Sequence, residues 1–163
     1  MPRDYVQLAR EYMQDVMAGT IPTCKLTRLA IQRHMRDLER AAKNEPTFPY
    51  RFDEASANRV CRYVEMHPFV DGGKDVAGKN IRLEPFQCWL LTTAFGWLQR
   101  HTEFRRFRRA YTEVAKGNGK SCLSSPLCNY TAFAEGVPGA QVYVAATTRD
   151  QAKIVFKPAC QML

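Results

Sequence analysis

The chain has 163 residues, enough for one domain with a real core and short for two. Its 45% hydrophobic and 25% charged residues are ordinary for a soluble globular protein, and no apolar run approaches the roughly 18–20 residues of a membrane span. The formal charge of +8 points to a polyanionic partner, and Met1–Tyr5 has no apolar segment behind it to make a signal peptide, so the expected location is cytoplasmic.

Tyr5, Leu8, Ala9, Tyr12, Met13 and Val16 recur at helical spacing, and Gly19 and Pro22 end that first helix. Thr23 is placed to cap a second helix carrying Leu26, Leu29, Ala30 and Leu38, which runs out before Pro46 and Pro49. Asp53 with Ser56 opens a third, with Val60, Tyr63 and Val64 on it, and His67-Pro68 stops it. An α-helical N-terminal region over 1–69 is therefore expected, followed by a glycine-rich loop over 70–82.

The character changes over 83–163. Pro85 sits in the first turn of a helix, where its missing N–H costs nothing. Phe86, Trp89, Leu90, Ala94, Trp97 and Leu98 form a broad apolar face behind it. Between Arg100 and Lys120 stand seven Lys or Arg against Glu103 and Glu113. That block fits a nucleotide or nucleic-acid contact and fits equally a solvated basic edge leading into a strand. Ala110, Thr112 and Val114 alternate, predicting a strand over 109–114. After it come a loop at 116–119, a helix from about Gly119 to Ala134, a short strand over 141–146, and a helix over 150–162 behind Thr147 and Thr148. Strand, loop, helix, strand, helix predicts a parallel sheet with a right-handed crossover, the α/β class.

The six cysteines, at 24, 61, 88, 122, 128 and 160, form no Cys-x-x-Cys pair and no zinc spacing, so reduced thiols are expected. His34, His67 and His101 lack partners at catalytic spacing and read as surface or loop residues.

The segment that carries chemistry is Val114-Ala115-Lys116-Gly117-Asn118-Gly119-Lys120-Ser121. Phosphate binding needs several backbone N–H groups converging at a helix N-terminus, a Lys for the outer phosphates, and a hydroxyl for Mg²⁺. Gly117 and Gly119 permit the bend, with Asn118 between them, while Lys120 supplies the charge and Ser121 the hydroxyl. The match is to a relaxed form of the motif, since Val114 stands where the usual pattern has a first Gly. The competing reading is a Gly-rich connection with a solvated Lys.

With their surroundings these residues identify a family. The loop, then Glu135-Gly136-Val137-Pro138-Gly139-Ala140, then Val142-Tyr143-Val144-Ala145-Ala146-Thr147-Thr148-Arg149-Asp150-Gln151-Ala152, resemble the ATPase domain of large terminase subunits. Those are the DNA-packaging motors of tailed bacteriophages, and the likeness spans about residues 48–163. Leu83-Glu84-Pro85-Phe86-Gln87 is similar to that family's adenine-recognition segment. The resemblance implies a P-loop NTPase fold binding ATP and Mg²⁺, with Gln87 on adenine, Lys120 on the β/γ-phosphates and Ser121 on the metal. Lys116 stands where the family usually has Arg, keeping the charge but not the bidentate fork. Thr147–Gln151 matches a segment that couples nucleotide state to DNA, where Arg149 would act as a phosphate-contacting arginine; a surface residue at a helix start is the alternative. Double-stranded DNA, a small terminase subunit, a portal or procapsid and a ring of copies are the implied partners, in a bacterial host cell.

An ATPase of this class also needs an acidic strand end for Mg²⁺ and water activation, and the family carries a C-terminal nuclease domain. No segment after Ser121 has either form, so the expectation is the front part of a longer protein, without hydrolysis of ATP on its own. Another helicase-like ATPase, and a non-catalytic nucleic-acid-binding module built on Arg105–Arg109, remain as alternatives.

Overall fold

The computed structural model describes residues 3–70 and 76–163. Residues 71–75, with two of the glycines of the expected loop, lie outside the described residues. The chain forms two compact units that are discontinuous in sequence: residues 1–61 with 83–110, and residues 62–82 with 111–163.

In the first unit, α1 (Tyr5–Ala18) starts where the Asp4 carboxylate accepts the N–H groups of Val6 and Gln7. It stops at Gly19, whose φ of 84° is the left-handed cap glycine adopts without strain. Its buried face is Tyr5, Val6, Ala9, Tyr12, Met13 and Val16, packed mainly on α4 (Pro85–Gly96). The rings of Tyr12 and Trp89 meet there at 5.8 Å. Ile31 of α2 (Lys25–Ala42) joins the same core. The cap of α2 is Cys24 rather than Thr23, with no side-chain cap bond. Asp53 opens α3 (Glu54–Glu65) as expected, accepting the Ser56 N–H at 2.9 Å.

Helix α4 ends at Gly96, earlier than its apolar run indicates. A Cβ at Gly96 would lie 2.7 Å from the Phe52 ring and 2.9 Å from the Ala57 methyl, so only glycine fits. The chain turns there into β2 (Trp97–Gln99), which pairs antiparallel with β1 (Tyr50–Phe52). Around this pair Trp97 is fully buried, with Phe48, Phe52 and His34 edge-on to its ring.

His34 is thus a core residue, contrary to its reading as a surface histidine. Its Nδ1 accepts the Trp97 indole N–H at 3.0 Å, which makes it the neutral tautomer with the proton on Nε2. His67 is buried as well, its Nδ1 2.8 Å from the Tyr63 carbonyl.

In the second unit, α5 (Lys120–Asn129) continues into a π-helical turn (Tyr130–Ala134) and packs on α6 (Arg149–Gln161). Thr148 caps α6 by accepting the Gln151 N–H. The segments around Phe69 and Lys79 pair over two backbone bonds, Phe69 N–H to Lys79 O at 2.8 Å and Gly78 N–H to Phe69 O at 2.9 Å.

The fold is thus mixed but mainly helical, with one small antiparallel sheet among the described residues. The parallel sheet expected from 109–114 and 141–146 is not formed: among the described residues neither segment is in a ladder. A parallel sheet is covered on both faces and needs neighbouring strands to take its N–H and C=O groups. Here Tyr111 is 88% and Tyr143 82% exposed, so alternation alone marks segments without a partner to pair with. No helix among the described residues is long and apolar enough to cross a membrane.

Candidate nucleotide site

Two positive-φ glycines shape the loop before α5. Gly117 has φ 91° and Gly119 φ 71°, values that strain any residue with a Cβ. Between them the Asn118 N–H reaches the Ala115 carbonyl at 3.4 Å. Lys120 then folds back, its Nζ donating to the Val114 carbonyl at 3.3 Å, so that residues 114–120 close on themselves. An ammonium has three N–H donors, and two remain for a ligand.

Gly119 is the N-cap of α5, and the first bond into the helix runs from Leu123 N–H to Gly119 O at 2.9 Å. Helix geometry leaves the N–H groups of Lys120, Ser121 and Cys122 without intrahelical acceptors, at the positive end of the dipole. They stand beside a cavity of about 260 Å³ whose lining includes Gly117, Gly119, Ser121, Cys122 and Ser125. Phe69, Val70 and α6 residues Ile154, Pro158 and Met162 supply an apolar remainder. Burial pushes the Cys122 thiol above its ordinary value, which keeps it neutral at pH 7.

Of the residues singled out in the sequence, Gly117, Gly119 and Ser121 thus line one cavity, and Lys120 lies over the same loop. Lys116 and Asn118 occupy its exposed side. Arg149 is the exposed first residue of α6 and is not part of the cavity wall. Gln87 belongs to the first unit, where it is buried and its Oε1 accepts the Glu84 N–H at 2.9 Å, completing a capping box. Its Nε2 donors are not used by that bond.

Sequence reading missed Ser125 and the α6 wall. The signal was present: Ser121, Ser125 and Asn129 recur every four residues, which stacks them on one face of α5.

The basic run resolves into different roles. Arg106 pairs with Asp37 at 2.7 Å, both side chains largely buried, and its guanidinium stacks over Tyr50 at 4.6 Å. Arg105 lies over Phe95 at 4.7 Å, and Arg100 donates to the Ala41 carbonyl at 3.2 Å. Arg108 and Arg109 are exposed.

All six cysteines are free. Among the described residues no group of three or more His, Cys, Asp or Glu side chains clusters as a metal site.

Comparison with known families matches residues 85–163 to the terminase large subunit ATPase domain. No curated protein and no solved structure matches the chain. The matched segment begins at the first residue of α4 and contains residues 114–121, α5 and α6. Over residues 85–163 the chain is thus similar to the ATPase domain of large terminase subunits.

Proposed function

We propose that this chain is the nucleotide-binding part of a viral DNA-packaging motor, in which ATP bound at residues 116–121 drives double-stranded DNA into a procapsid. The observation that carries this reading is the loop closed by Lys120 over two positive-φ glycines, beside a cavity lined by Ser121. Those residues fit ATP with Mg²⁺. The α5 N-terminal N–H groups and Lys120 would hold the phosphates, and the Ser121 hydroxyl would give the metal one ligand. The metal, when bound, neutralises charge developing on the phosphates during transfer. Lys116 adds positive charge on the outer side of the loop, with Asn118 supplying backbone there. Gln87 is assigned to the adenine, and Arg149 to a phosphate contact from this copy or a neighbour in a ring. Double-stranded DNA, the small terminase subunit and the portal follow as partners from the family.

The test is Lys120→Ala. Loss of a charged donor to phosphate removes about 1.5–3 kcal/mol, so Mg-ATP affinity measured by calorimetry should fall roughly ten- to hundredfold. Thermal unfolding should stay near wild type, because Lys120 is exposed and its one bond is to a backbone carbonyl. Unchanged affinity would remove the central assignment.

A further inference from the structure

Helices α5 and α6 are joined by two side-chain bonds one turn apart. The Ser125 hydroxyl, fully buried, lies 3.1 Å from the Ser121 carbonyl and 3.0 Å from the Val155 carbonyl of α6. Asn129 Nδ2 donates to the Ala159 carbonyl at 2.8 Å, near the C-terminal end of α6 where carbonyls lack helical donors. Ser125 also lines the cavity, directly behind Ser121.

A hydroxyl has one proton. That of Ser125 is shared between two acceptors, one in the turn that forms the cavity floor and one in the neighbouring helix. Any displacement of Ser121 changes the share that reaches Val155. Each helix is also easier to bend at this level than an unbroken one. Pro126 in α5 and Pro158 in α6 have no N–H for the carbonyls of Cys122 and Ile154, and both of those residues line the cavity.

We propose that Ser125 is a positioning residue through which occupancy of the phosphate-loop cavity is passed to α6, the helix that begins with Arg149. The proposal rests on the nucleotide reading above and adds to it the element that responds. A ligand drawing on the Ser121 hydroxyl and the first-turn N–H groups shifts the Ser121 carbonyl, and Ser125 hands that shift to Val155. Asn129 holds the far end of α6 to α5, so that α6 pivots rather than separates.

Amide hydrogen exchange on the full chain, with and without millimolar ATP and Mg²⁺, tests this. In the wild type, nucleotide should slow exchange over both 116–123 and 149–161. In Ser125→Ala the protection at 116–123 should persist while the response of 149–161 is lost. A structural role alone would change α6 exchange equally with and without nucleotide, so it is the lost difference that identifies coupling. If Ser125→Ala does not fold, Ser125→Cys keeps the size and weakens the donor, and should diminish the α6 response. A full α6 response in the variant that folds overturns the inference and leaves the nucleotide reading standing. Absence of protection at 116–123 in the wild type overturns that reading and the inference with it.

Discussion

Burial holds the His34 imidazole neutral, with a pKa of about 4 against an ordinary 6.5. The nearby Arg106, Arg33 and Arg10 add to the shift and Asp37 opposes it. The unfolded chain takes up this proton below pH 6.5, while the folded chain does so only near 4. Stability from this site is therefore complete above 6.5, declines as pH falls from 6.5 to 4, and is flat below. The full span is worth about 3 kcal/mol. His34→Gln, whose side-chain oxygen can still accept from Trp97, should flatten the dependence of urea midpoint on pH across that window; an unaltered slope would place the titration elsewhere. Gln87 poses a different problem, because its Oε1 already serves the α4 cap. Gln87→Ala would remove cap and base contact together, at about 1 kcal/mol for the cap alone. Gln87→Glu keeps the cap acceptor and loses the N–H donor that adenine N7 needs. If Gln87 reads the base, Gln87→Glu should weaken ATP binding by about 1–3 kcal/mol, since the carboxylate can still accept from N6 but meets the N7 acceptor without a donor. An ATP affinity unchanged from wild type would leave Gln87 as a cap alone.

At the scale of elements, what was legible is what local chemistry decides. The α1 face, its stop at Gly19, the Asp53 and Thr148 caps and the start of α4 at Pro85 all follow from residues within one turn of one another. The bend before α5 was legible for the same reason, since Gly117 and Gly119 are contiguous with Lys120 and Ser121. The end of α4 was not, because it depends on Phe52 and Ala57 lying against Gly96, over forty residues away in the case of Phe52. Nor was its buried face: the helix is apolar nearly all round, and Cys88, Leu91 and Thr92 are inward where Leu90 and Ala94 were expected to share the apolar face. A period cannot choose a side when every side is apolar. The three-residue strands β1 and β2 have too little alternation to read, and their pairing couples Tyr50 to Gln99. The burial of His34 and the bond from Ser125 to α6 belong to the same class: each is set by a partner brought in from another element, Trp97 or Val155.

For the whole molecule the question is whether any part of the +8 charge meets DNA. Counting Arg105, Arg106, Arg108 and Arg109 as one patch overstates it. Arg106 is held by Asp37 and four aromatic rings, and removing it leaves a buried carboxylate unpaired, a loss of about 3–5 kcal/mol of stability. Arg106→Gln should therefore lower the urea midpoint sharply. Arg108→Gln with Arg109→Gln should leave stability within about 0.5 kcal/mol for each change, as at other exposed positions. That pair is the clean probe for a nucleic-acid contact, because any change in binding cannot be blamed on unfolding. Each phosphate contact contributes about 0.9 to the slope of log affinity against log salt on duplex DNA. If both arginines touch phosphates, the double variant should lose about 1.8 from that slope while Mg-ATP affinity at the loop stays as in wild type. An unchanged slope would show that Arg108 and Arg109 are solvated. A reduced slope with no ATP binding in the wild-type chain would instead favour a nucleic-acid-binding module over a motor.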